Sequence, residues 1–102
     1  MSKREKELVV PPAAKSDASS QEMLRAWIAD GGLHCTLSIG AWGDKETIGW
    51  GILLTDVVRH VADALHQQEG MDPDDTIKQI RAVFNKELDA PTADAKGNFI
   101  TH

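Results

Sequence analysis

The sequence predicts a small α+β domain with three helices, at about 20–30, 47–69 and 73–90, and one main strand at 33–39. Strict alternation of apolar and polar residues predicts the strand, because successive side chains on a strand point to opposite faces. Apolar residues that recur every three to four positions predict the long middle helix. Capping residues mark where the other two helices begin.

The first helix is predicted from its ends and from one apolar stripe. Ser19 and Glu22 have the spacing of a capping box, in which each side chain bonds a backbone N–H at the start of a helix. An apolar stripe that includes Trp27 follows at helical spacing. Glycines at 31 and 32 are typical of a helix C-terminus. We therefore expect a helix over 20–30.

The strand over 33–39 places its apolar side chains on one face and its polar side chains on the other. A lone strand leaves its backbone groups unpaired, and a two-stranded ribbon is marginal by itself. The strand is therefore expected to pair with a chain end, either 8–10 or 99–101, or with its own copy in a second chain. Because twofold dimers are the commonest oligomers, we favour a homodimer.

The helix over 47–69 has an apolar arc about 120° wide when residues are placed at 100° intervals. Helix 73–90 opens with a capping Asp72 and has Pro73 at its first position, which is a favoured arrangement. We expect the apolar face of the strand to pack on the long helix and form the core. The residues in that contact are Leu33, Cys35, Leu37 and Ile39 on the strand, and Trp50, Leu54, Val57, Val61 and Leu65 on the helix.

The chain of 102 residues has the length of one domain. Residues 1–18 are expected to be a flexible N-terminal segment with a short extended run at 8–10. The α+β domain is assigned to 19–91, and 92–102 is a C-terminal tail. This division follows from the polar start of the chain, the linker-like stretch before Ser19 and the proline at 91.

Composition excludes several classes of function. Sixteen acidic and eleven basic residues give a net charge of −5, the wrong sign for binding a nucleic-acid backbone. No apolar run approaches the roughly 18 residues of a membrane span, and the first residues lack the apolar core of a signal peptide. A single cysteine fits a reducing compartment. We expect a cytoplasmic protein with no nucleic-acid, membrane or cofactor partner.

Arrangements that suggest catalysis or metal binding fail on geometry. His34 and Cys35 are neighbours on a strand, so they point to opposite faces and cannot bond each other. Asp56 and Asp63 lie about 10 Å apart along a helix axis, too far for both to reach one metal ion. We therefore expect no catalytic residue and no metal site, with Cys35 acting as a small buried hydrophobe.

The surface expected to contact another protein, outside the dimer, combines a loop tryptophan with the polar side of the long helix. Trp42 follows the strand in a glycine-flanked loop, where its ring either folds back on the domain or is presented to a partner. Asp56, Arg59, His60 and Asp63 share the polar side of the helix. The same four residues also fit a solvated face with ion pairs four positions apart.

Several stretches together resemble a known family over about 20–92. It is a family of short bacterial, in particular proteobacterial, single-domain proteins known only as a domain of unknown function. The resemblance implies a free-standing cytoplasmic protein and brings no activity, cofactor or catalytic residue. The stretches that carry it are Met23–Trp27, Leu33–Trp42, Trp50–Leu54, Asp56–Ala62 and Leu88–Thr92.

From these observations we expect a non-catalytic protein-interaction or regulatory module that acts as a homodimer and binds an unidentified protein. An alternative is a small-ligand-binding protein or enzyme with a pocket between strand 33–39 and helix 47–69, using His60 with an Asp or with Cys35. A third is a regulator that senses pH through His60 and His66. The enzyme hypothesis requires His60 to lie within hydrogen-bonding range of a carboxylate or thiol.

Overall fold

The computed structural model describes residues 6–92 and the backbone of 97–101. Parts of the predicted N-terminal segment and tail, residues 1–5, 93–96 and 102, lie outside the described residues. The α+β class is confirmed, and the strand and the two longer helices lie within a residue of their predicted ends. The elements are α1 (Pro12–Ser16), β1 (Leu24–Ala29), β2 (Gly32–Ile39), a 3₁₀ turn (Gly43–Lys45), α2 (Glu46–Glu69), α3 (Pro73–Asp89) and β3 (Gly97–Thr101).

The predicted helix over 20–30 is wrong, because most of this stretch is strand β1. It pairs antiparallel with β2, with Leu24 opposite Leu37 and Ile28 opposite Leu33. The short apolar stretch fits both a helical and an alternating period, and the strand forms because β2 offers hydrogen-bond partners along its whole length. The expected capping box does not form, since the Glu22 carboxylate lies 3.0 Å from the Arg25 guanidinium instead.

A tight turn at Asp30 and Gly31 connects β1 to β2. Their φ angles are 50° and 75°, and positive φ at both central residues is the pattern of a type I′ hairpin turn. This turn twists in the same sense as the strands it joins. The glycines that were expected to end a helix therefore belong to a hairpin, and the Asp-Gly pair was the signal for it.

The C-terminal strand β3 pairs parallel with the other edge of β2 and completes a sheet of order β1-β2-β3. The expectation that a chain end pairs with the main strand is confirmed for 99–101. Since β2 has a neighbour on both edges, it does not need its own copy from a second chain. A homodimer would therefore have to form through another surface.

Helices α2 and α3 pack against each other as a hairpin. Helix α2 ends at Glu69 and is capped by Gly70, which has φ of 70° and donates its N–H to the His66 carbonyl. Helix α3 begins at the predicted cap, where the Asp72 carboxylate accepts the Asp75 N–H at 3.0 Å. Ala62 on α2 and Thr76 on α3 are both buried.

The predicted core does not form within one chain. Contacts among the described residues lie mostly within the sheet and within the helix pair, and few join the sheet to the helices. Leu33 remains 63% exposed, and Leu54, Val57 and Val61 on α2 are exposed as well. Alternation and helical periodicity identified which sides of these elements are apolar. They could not show that one chain leaves those sides largely uncovered.

The turn makes a testable prediction about stability. Gly31→Ala would lower the free energy of unfolding by about 1 kcal/mol, because an L side chain is strained at positive φ. An added Cβ meets no atom within 4 Å there, so the effect would be conformational and not a clash. Urea unfolding measures it. Asp30→Asn is the matched control, since Asn tolerates positive φ, and a loss as large as that of Gly31→Ala would contradict the turn assignment.

Candidate functional site

One carboxylate at the start of α2 holds the connection from β2. Glu46 accepts hydrogen bonds from the Gly40 N–H at 2.9 Å and the Trp42 N–H at 3.1 Å. It also accepts the indole N–H of Trp50 at 3.0 Å. A negative charge at a helix N-terminus is further favoured by the helix dipole. A single side chain therefore joins the end of β2, the loop and the second turn of α2.

The Trp42 ring folds back onto the beginning of α2. Its plane meets the Trp50 ring edge to face, with 5.6 Å between centroids and 88° between planes. Gly49 makes this close approach possible, because an added Cβ would overlap the Trp42 indole. Of the two arrangements expected for Trp42, the packed one is found. The ring remains only half-buried, so its outer side is still available for a further contact.

An open apolar groove follows the side of α2 opposite α3. Ala62 is the buried side chain of α2, Val58 and Leu65 beside it are half-buried, and at 100° per residue the groove lies across the helix from these three. Its volume is about 790 Å³. Ile48 and Ile52 are each 60% exposed. The lining comprises Trp42, Lys45, Ile48, Gly49, Ile52, Leu53, Asp56, Val57, His60, Val61 and Ala64.

The structure brings most of the predicted interaction residues to this side of the molecule. Trp42, Asp56 and His60 line the groove. Arg59 lines a second, smaller depression beside it, which it shares with Asp56. Asp63 lines neither of the two. Within residues 6–92, no ion pair joins these charged side chains to one another.

The side of α2 that was expected to be polar is therefore mixed in character. Ile48 and Ile52 lie beside Asp56 and Arg59 in the smaller depression. A helix that is apolar on more than one side is normally covered on more than one side. Helix α3 covers only one of the two apolar sides of α2.

The catalytic alternative gains no geometric support among the described residues. His60 makes no hydrogen bond to a carboxylate or thiol within residues 6–92, and Cys35 lies on the opposite sheet face from His34. His66 instead contacts the Met71 carbonyl through Nδ1 at 3.1 Å. In the described part of the chain, no three His, Cys, Asp or Glu side chains are grouped to hold a metal ion. No helix there has the length and apolarity of a membrane span.

Sequence reasoning missed two residues that shape the groove, Glu46 and Gly49. Glu46 lies four positions before Trp50, which is the spacing at which side chains meet on a helix, and acids are favoured in a first turn. That signal was readable. Gly49 offered none, because its role depends on where the Trp42 ring comes to lie, and a glycine in a helix otherwise indicates only weakness.

These features define a class of protein: a small α+β domain with a three-stranded sheet, a helix pair and an open apolar groove. The chain belongs to the family described as Domain of unknown function (DUF5076), whose model matches residues 7–92. The resemblance to a family known only as a domain of unknown function is thereby confirmed. A search among curated proteins found no match.

A solved structure supports the same fold. It comes from the photosynthetic bacterium Rhodopseudomonas palustrus CGA009 and is 33% identical in sequence, with a TM-score of 0.68. The match covers 89% of this chain and 91% of that one. That protein's assignment as a pyruvate dehydrogenase is itself only proposed. The likeness supports the arrangement of sheet and helices described above.

The Glu46 connection predicts a large loss of stability on truncation. Glu46→Ala would lower the free energy of unfolding by about 2–3 kcal/mol, because three donors lose a charged acceptor. Thermal or urea unfolding measures this change. Asp44→Ala is the matched control, since Asp44 is an exposed acid near the same helix end and accepts no hydrogen bond among the described residues. Equal effects of the two substitutions would show that Glu46 acts only through its charge.

The contact between Trp42 and Gly49 predicts that substituting Gly49 and substituting Gly51, both in α2, would have different effects. Gly49→Ala would displace the Trp42 ring and change the near-UV circular dichroism of the tryptophan pair. Gly51→Ala would leave that signal unchanged and stabilise α2 by up to about 1 kcal/mol, because its added Cβ meets no atom within 4 Å. Identical spectra for both variants would contradict the placement of Trp42.

Proposed function

We propose that this protein is a non-catalytic protein-interaction or regulatory module that acts as a homodimer in the bacterial cytoplasm. The observation that carries the proposal is the amount of apolar side-chain surface left uncovered in one chain. Ile28 on β1 is 84% exposed and Leu88 on α3 is 69% exposed, in addition to the groove along α2. Apolar patches of this extent on a soluble protein commonly mark interaction surfaces.

The total exposed area supports association. A compact monomer of this mass exposes about 5,700 Å², whereas this chain exposes 8810 Å². Its radius of gyration is 15.6 Å, compared with about 13 Å for a compact chain of this length. Permanent homodimers bury about 2,000–5,000 Å² between two chains. The excess area of each chain is therefore large enough for such an interface.

The groove and its flanking charges are the proposed association surface. Trp42, Asp56, Arg59 and His60 are its polar and aromatic members, with Asp63 beyond both depressions, and the neighbouring aliphatic side chains supply the area removed from water. A tryptophan at the end of an apolar groove is typical of an energetically important contact. The groove is also open along its length, as expected of a surface that receives another polypeptide.

The activity proposed for the Rhodopseudomonas protein is not extended to this chain. Catalysis by acid–base or nucleophilic groups requires partners within hydrogen-bonding range, and the described residues place no such pair in the groove. The interaction hypothesis, in contrast, accounts for the groove, for the exposed sheet face and for the area of the chain together.

The proposal predicts the mass of the protein in solution. Sedimentation equilibrium of the full chain at micromolar concentration would give twice the chain mass of 11.1 kDa. The cause is burial of apolar side chains, so the dimer would persist at high salt concentration. A mass of one chain at all concentrations up to about 1 mM, which marks very weak binding, would contradict the homodimer.

A second measurement tests the association surface itself. Trp42→Ala and Arg59→Glu would each weaken self-association or the binding of any captured protein, because they alter the end and the flank of the groove. Arg81→Glu on α3 is the control, since Arg81 is an exposed cation that lines neither depression. Unchanged association in both groove variants would show that the surface is elsewhere.

A further inference from the structure

The apolar groove along α2 needs an occupant that supplies apolar surface and complementary charge. In one chain, α3 covers the side of α2 that carries Ala62, and the groove lies on the opposite side. The sequence alone placed this side outside the dimer, as a surface for another protein. The exposed Ile48 and Ile52 among its charges now favour a closer and more permanent contact.

Two unpaired charges lie symmetrically about the middle of this helix. Helix α2 runs from Glu46 to Glu69, so its midpoint falls between residues 57 and 58. Asp56 lies one residue before that central pair and Arg59 lies one residue after it. Both line the smaller depression beside the groove, Asp56 lines the groove as well, and within the described residues neither forms an ion pair.

A twofold axis across the middle of α2 would bury apolar side chains of the helix and pair its charged ones. Twofold symmetry places two copies of the helix antiparallel, and any contact between residues i and j then occurs twice. With the axis at the helix midpoint, Asp56 of each copy lies opposite Arg59 of the other. The two pairs lie within one helical turn of each other at the axis, and most aliphatic side chains of the groove lie on either side of them along α2.

We infer that the occupant of the groove is α2 of a second copy of this chain, packed antiparallel about a twofold axis at the helix midpoint. The inference rests on the proposed homodimer and names its interface. Three observations carry it: the uncovered apolar side of α2, the excess exposed area of the chain, and the placement of Asp56 and Arg59. The exposed apolar surface of the sheet remains outside this contact.

Charge exchange between Asp56 and Arg59 tests the interface. In Asp56→Arg, two arginines would face two arginines across the axis, and in Arg59→Asp, two aspartates would face two aspartates. Either variant alone would raise the Kd of the homodimer roughly tenfold or more, because two attractive pairs become repulsive. Sedimentation velocity over a concentration series measures the Kd, and far-UV circular dichroism checks that each variant is folded.

Mixing the two variants provides the matched control. In the mixed dimer each arginine again faces an aspartate, so the equimolar mixture would associate with a Kd within about threefold of the wild-type value. Such rescue cannot come from a general loss of folding. The double variant Asp56→Arg/Arg59→Asp would recover homodimerisation for the same reason.

The outcomes separate this inference from the proposed function. Wild-type dimers together with single variants of unchanged Kd would overturn the α2 interface and leave the homodimer standing. Weakened single variants that are not rescued by mixing would also overturn it, since the two charges would not meet across the axis. A monomeric wild-type protein would overturn the homodimer and the interface together.

Discussion

The position of α2 depends on the hydrogen bonds that Glu46 accepts. A loop of a few residues joins β2 to α2, and a short glycine-containing loop has many accessible conformations. The Glu46 carboxylate removes that freedom by bonding the backbone at Gly40 and Trp42 and the indole of Trp50. The Trp42 ring then lies on Gly49 and forms the end of the groove. The groove therefore exists because one acid in the first helical turn has three donors within reach.

This fold has more apolar surface than one chain can cover. Helix α2 is apolar towards α3 and also on the opposite side, and the sheet keeps apolar side chains exposed near the hairpin turn, such as Ile28 and Leu33. A chain of this size buries only about two thirds of its surface even when compact. In the proposed homodimer, association would supply the burial that a small chain cannot provide by itself.

Prediction from sequence succeeded where the local pattern fits only one type of secondary structure. The capped third helix, the long helix and the alternating strand each carry a period or a capping residue that only one structure satisfies. It failed over 24–29, because six residues with apolar positions at both spacings fit either a helix or a strand. The Asp30-Gly31 pair was the signal that favoured a strand over a helix there. It connects two apolar runs with two residues of positive φ, which is the strongest short-range sign of a hairpin.

Local chemistry in the chain was enough to identify the α+β class, the long helix, the Asp72 cap of α3 and the apolar faces. These properties follow from spacing and residue type, which are read directly along the chain. Tertiary structure alone decided which of those faces are covered, that the Trp42 ring folds onto Gly49, and that β2 pairs on both edges within one chain. Such outcomes depend on contacts between residues far apart in sequence, and no local period encodes them.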